Sequence, residues 1–82
     1  MKIFKCQSGK CNITGRKIRE LREASEMSQE ELAAKIQLLG HSINQKAISR
    51  IETGDRVVPD YELLHFSEVF QVSVDELLGI DK

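Results

Sequence analysis

Capping boxes of the form Ser-x-x-Glu at 28–31 and 73–76, with three glycines that close apolar stretches, cut this chain of 82 residues into segments too short to fold alone. In Ser28-Gln29-Glu30-Glu31 and in Ser73-Val74-Asp75-Glu76, the serine hydroxyl can accept the amide three residues on while the glutamate reaches back. Gly40, Gly54 and Gly79 are helix stops, and Gly54 suits the left-handed conformation just past a helix end. Isolated helices below roughly 12–15 residues are marginal in water. The apolar seams of these helices must therefore close on one shared core.

Between these marks the spacing of apolar residues is helical, with no strand alternation and no internal repeat. A first helix is expected from about Ile13 to Ser25, with Ile18 and Leu21 as its seam. The second opens after Ser28 and buries Leu32, Ala33, Ile36 and either Leu38 or Leu39. Asn44 caps the third, which runs through Gln45-Lys46-Ala47-Ile48-Ser49-Arg50-Ile51-Glu52 and stops at Thr53-Gly54. Asp60 is expected to cap a fourth helix with Leu63, Phe66 and Phe70 inward, and Leu77 and Leu78 belong to a short fifth. Residues 1–11, which hold Cys6, Gly9 and Cys11 without a helical period, read as a flexible arm, and 12–82 as one all-α domain.

The net charge of −1 hides an asymmetry. Residues 1–22 carry Lys2, Lys5, Lys10, Arg16, Lys17, Arg19 and Arg22 against Glu20, whereas 59–82 carry Asp60, Glu62, Glu68, Asp75, Glu76 and Asp81 against Lys82. Such a chain can turn a basic face to phosphate while its other end stays acidic. Solvated charge on a helical surface would give the same counts.

Enzyme chemistry lacks an inventory: there is no glycine-rich phosphate loop and no Ser/His/Asp arrangement of usable spacing. The acid pairs Glu30-Glu31 and Asp75-Glu76 sit in first helical turns, where the helix dipole accounts for them. Cys6 and Cys11 are the only cysteines, and His41 and His65 are far away in sequence. A zinc site needs four ligands, so only a homodimer pooling two cysteine pairs would reach that number. Two ordinary thiols, no metal and no cofactor are the expectation. No apolar run approaches bilayer length and Met1-Lys2-Ile3-Phe4-Lys5 is no signal peptide, so the expected location is the cytoplasm. Asn12-Ile13-Thr14 fits a glycosylation acceptor, but nothing points to secretion.

The third helix carries the functional signal. With Ile48 and Ile51 inward, Gln45, Lys46, Ser49 and Arg50 share the outer face. Gln can pair bidentately with adenine, and Lys or Arg with guanine, in the major groove. An ordinary amphipathic surface helix would show the same composition.

Context separates these readings. Ile18-Arg19-Glu20-Leu21-Arg22, Ser28-Gln29-Glu30-Glu31-Leu32-Ala33, Ala47-Ile48-Ser49-Arg50-Ile51-Glu52-Thr53-Gly54, Pro59 and Val72-Ser73-Val74-Asp75-Glu76-Leu77-Leu78 occur in order, and the set resembles the Cro/repressor helix-turn-helix family over about residues 13–79. The resemblance implies a five-helix, lambda-repressor-like domain whose recognition helix, about 44–53, enters the major groove of double-stranded DNA. It assigns DNA contacts to Gln29, Asn44, Gln45, Lys46, Ser49, Arg50, Thr53 and Arg56. Gln29 would bind a phosphate and brace the recognition helix. The backbone amides of the loop 53–56 and the Arg56 side chain would meet the DNA backbone. Arg22 and Glu52 match a family ion pair that links the first helix to the third.

One departure stands out. After Ile36 the chain continues through Gln37-Leu38-Leu39-Gly40-His41-Ser42-Ile43 to Asn44, several residues longer than the family's usual turn. An extra turn on the second helix and an elongated connection to the third are expected, with Leu38 or Leu39 burying new surface and His41 exposed or near a phosphate. The working form implied is a transcriptional regulator, a repressor, acting as a homodimer on a palindromic site, with Leu77, Leu78 and Ile80 as the dimer surface. The alternative is a protein-interaction module, such as an antitoxin or adaptor built on the same fold, which the near-neutral charge favours.

Overall fold

The computed structural model describes residues 9–80, and each helix in it ends where a local cap ends it. The helices are α1 (Gly15–Ala24), α2 (Gln29–Leu38), α3 (Gln45–Thr53), α4 (Asp60–Phe70) and α5 (Val74–Leu78), with no strand among the described residues. None of these helices is long and apolar enough to cross a membrane.

Ser28 forms the full capping box: its Oγ accepts from Glu31 N at 3.0 Å, and Ser28 N donates to Glu31 Oε1 at 2.9 Å. The bond from Ser28 N, and to a lesser degree the Ser28 side chain, hold the Glu31 carboxyl below its usual range. Ser73 forms the serine half, accepting from Glu76 N, while the Glu76 carboxylate lies 3.9 Å from Lys17 Nζ. Asn44 Oδ1 accepts from Ala47 N at 2.8 Å and opens α3. Gly54, at φ 83°, closes it.

Two boundaries differ from the sequence reading. α1 starts at Gly15, because Asn12 Oδ1 accepts Gly15 N and Asn12 Nδ2 donates to the carbonyls of Ile51 and Arg56. A side chain at Gly15 would put its Cβ 2.0 Å from Ile51 O, so only glycine lets α1 start against α3. Pro59, not Asp60, is the N-cap of α4, and its ring offers no side-chain bond. Proline's fixed φ sets the entry to the helix instead.

Ile18, Leu32, Ala33, Ile36, Ile43, Ile48, Ile51, Phe66 and Leu77 form the core, with Leu21, Leu63 and Phe70 packed on its rim. Leu38 and Leu39 do not join it, contrary to expectation: Leu38 is 87% exposed and Leu39 is also exposed. α2 ends at Leu38, and Gly40 at φ 91° turns the chain before another helical turn can bring an apolar residue inward. Ile43 supplies the buried contact from the loop, its carbonyl accepting from Gln37 Nε2 at 2.6 Å.

The arm expected over residues 1–11 lies outside the described residues up to Ser8, and so does Cys6. Cys11 and Lys10 are tied down. Cys11 N donates to Gly54 O at 2.8 Å, and Lys10 Nζ donates to Thr53 O at 3.1 Å.

Candidate nucleic-acid interface

Ile48 and Ile51 are fully buried, and that anchoring leaves Gln45, Lys46 and Arg50 exposed and Ser49 half-buried on the opposite side of α3. The helical repeat puts positions 45, 46, 49 and 50 on one face. The capping bond through Asn44 occupies its Oδ1, so this residue both starts the helix and stands at the edge of the exposed face.

The same face is braced from behind. Glu52, with a side chain only 3% exposed, accepts from Arg22 Nε at 2.6 Å and from Arg22 Nη2 at 3.1 Å. Arg22, itself 13% exposed, gives a further bond from Nη1 to Met27 O at 2.8 Å, tying in the turn between α1 and α2. Gln29, in the first turn of α2, donates to Glu52 Oε1 at 3.1 Å and accepts from Gln45 Nε2. A continuous path thus runs from Arg22 through Glu52 and Gln29 to Gln45. It brings together residues that the sequence reading had given separate roles, and it restricts the rotamers of Gln45, leaving its Oε1 outside this path.

The loop after α3 departs from the sequence reading. The amides of Gly54 and Asp55 were expected to face outward; they donate to Ile51 O and Arg50 O and complete the helix cap. Thr53 Oγ1 lies 2.8 Å from Asp55 Oδ2, so an acid stands beside it.

Arg56, which the resemblance assigns to the DNA backbone, is paired within the fold. Its Nη1 and Nη2 donate to Glu62 Oε1 and Oε2 at 2.6 and 2.9 Å, and its side chain is 31% exposed. The Glu62 carboxylate on α4 is 1% exposed. Burial pushes its pKa up, but hydrogen bonds from Arg56 and His41 outweigh this and hold it below the ordinary 4.5. His41 is not an exposed loop residue: its side chain is largely buried and its Nε2 donates to Glu62 Oε2 at 2.8 Å.

Leu77 also differs from expectation, being core and not surface. The apolar surface left near the end of α5 consists of Leu78, half-buried, and exposed Ile80, with exposed Ile13 from the start of the described domain. Asn12 and Thr14 were missed as structural groups; Thr14 Oγ1 is buried and donates to Leu77 O at 2.8 Å. An Asn three residues before Gly15 was the available signal for the first, while the second depends on a partner far along the chain.

Comparison with known proteins fits this geometry. The family model described as Helix-turn-helix matches residues 18–77. The P22 c2 repressor protein, solved in complex with a synthetic operator in the presence of Tl+, is similar at 27% identity and a TM-score of 0.71, covering 85% of this chain and 98% of that one. The restriction-modification controller protein C.AhdI from Aeromonas hydrophila is similar at 28% identity and a TM-score of 0.68, covering 78% of this chain and 86% of that one. No curated protein sequence matches.

Proposed function

The chain belongs to the Cro/C1-type helix-turn-helix family, whose members are DNA-binding transcription regulators, and from that premise we propose that it represses transcription by reading double-stranded DNA with the outer face of α3 in the major groove. One observation carries this reading: Gln45, Lys46 and Arg50 stay exposed together while Ile48 and Ile51 hold their helix to the core. In this reading Gln45 pairs with a base, preferably adenine, in an orientation set by its bond to Gln29. Lys46 and Arg50 reach guanine edges or phosphates, and Ser49 and Asn44 fill in at neighbouring positions. Gln29 serves as brace and phosphate contact at the start of α2, and Thr53 as a contact at the far end. Arg56 acts indirectly, by fixing the loop through Glu62.

One such domain spans few base pairs, so the working form is a homodimer on a palindromic site. Leu78, Ile80 and Ile13 offer apolar surface for it at one end of the domain. The rival reading, an antitoxin or adaptor, draws support from two arginines, Arg22 and Arg56, that are neutralised inside the fold.

Fluorescence-anisotropy titration against a randomised duplex at several salt concentrations, followed by sequencing of the bound fraction, separates the two. Phosphate contacts by Lys46 and Arg50 alone give a log–log salt slope of about −2 per protomer, at roughly 0.9 per phosphate neutralised. A DNA reader shows that dependence and enriches a motif. A chain that does neither, and binds a protein partner instead, is not a DNA reader.

A further inference from the structure

Three hydrogen bonds converge on Glu62, and they come from opposite ends of α3. Arg56 follows the helix and grips the carboxylate with both Nη atoms. His41 precedes the helix and donates to Oε2 at 2.8 Å. His41 belongs to the elongated connection between α2 and α3, where neither Leu38 nor Leu39 joins the core. Its ring is fixed by α4 on two further sides: it stacks on His65 with centroids 5.5 Å apart and 11° between planes, and it meets Tyr61 edge-on at 5.2 Å.

A buried carboxylate is costly unless its lone pairs are satisfied. Movement of either flank of α3 away from α4 would strip a donor from this buried anion. The arrangement therefore resists displacement at both ends of the helix at once. The body of α3 has separate anchors, Ile48, Ile51 and the Arg22–Glu52 pair, so the helix does not need His41 in order to form.

We infer that His41 and Glu62 are positioning residues for DNA recognition, fixing both flanks of α3 against α4 and so setting the angle at which Gln45, Lys46 and Ser49 meet base edges. The inference rests on the DNA-reading role proposed above. Base discrimination depends on bidentate geometry, whereas attraction to phosphate tolerates a tilt of the helix. A positioning role therefore changes the ratio between specific and non-specific affinity, which a loss of stability alone leaves unchanged in folded protein.

The test uses the full chain and two duplexes: the one that the wild type enriches from a random library, and a scrambled duplex of equal length. Affinities are measured well below each variant's unfolding midpoint. His41→Ala is expected to lower the specific-to-scrambled ratio about tenfold, the loss expected from one hydrogen bond to a charged group, with scrambled-duplex affinity unchanged. His41→Gln, whose amide can donate to the same oxygen, restores the ratio. His41→Phe keeps the ring packing but deletes the donor, and is expected to match His41→Ala; it carries the test should the alanine variant not fold. If either donor-deleting variant discriminates as well as the wild type, or loses both affinities equally, the positioning role is overturned. A wild type that enriches no duplex overturns the DNA-reading proposal itself, an outcome distinct from a motif that the variants read unimpaired.

Discussion

Two carboxylates hold α3, and they do so from opposite directions. Glu52 lies on α3 and draws in Arg22 from α1 and Gln29 from α2. Glu62 lies on α4 and draws in His41 and Arg56 from the segments that flank α3. Each accepts three hydrogen bonds, and each is nearly dry. Their mechanical consequences differ. The first network continues through Gln29 to Gln45 and so ends on the exposed face of α3. The second never touches that face; it fixes the connections on either side. Similar chemistry thus orients a side chain in one place and seats a helix in the other.

The largest way to break this comparison is to remove the cation from each network. Arg22→Ala leaves Glu52 buried with only Gln29 and is expected to cost about 3–5 kcal/mol of unfolding free energy in urea denaturation. Arg56→Ala leaves Glu62 with His41 alone and is expected to cost about 2–4 kcal/mol, less because Arg56 is more exposed. Because Arg56 is already neutralised, its loss should leave the salt slope of DNA binding near that of the wild type. A slope that flattens would instead restore Arg56 as a phosphate contact.

Acid sharpens the contrast. Glu62 is held below its ordinary value of 4.5 in the folded chain, so its contribution to stability is complete above about that pH and is lost as pH falls through the lower folded value. The pH dependence of unfolding on that acid limb should be shallower in Glu62→Gln than in the wild type. An unchanged limb would show that Glu62 is not held in its charged form by its neighbours.

Gln29→Ala tests the branch that reaches the exposed face of α3. It removes one bond to Glu52 and the bond to Gln45, and should cost only about 1 kcal/mol in denaturation while weakening base preference at the position read by Gln45. The smallest effect belongs to His65, whose buried Nδ1 has no hydrogen-bond partner among the described residues. His65→Leu should leave thermal stability unchanged or raise it by up to about 1 kcal/mol, since an unsatisfied polar atom is removed. A substantial loss would mean that the stack on His41 contributes more than packing.

The same two networks mark what was legible in the sequence. The five helices, the Ser28 box, the Asn44 cap and the Ile48–Ile51 anchor follow from periodicity and capping chemistry, which act within a few residues. The Arg22–Glu52 pairing could be anticipated only because the ordered motifs resemble a family. Nothing of that kind marked Glu62. It occupies the first turn of α4, where an acid is explained by the helix dipole, and its partners approach through loops. The path of the long connection was equally hidden, because helical spacing favours Leu38 or Leu39 while Gly40 turns the chain and hands the buried position to Ile43. Asn12 and Thr14 look like surface polar residues until the carbonyls of Ile51, Arg56 and Leu77 are brought to them.

Amide chemical-shift mapping by NMR, with the enriched duplex titrated into labelled full-length chain, tests the central claim most directly. The largest perturbations should fall on residues 44–50 and the start of α2 around Gln29, with α4 positions such as Leu64 and Glu68 unmoved. Perturbations centred on Tyr61, Leu64 and Ile80, with the outer face of α3 silent, would contradict it.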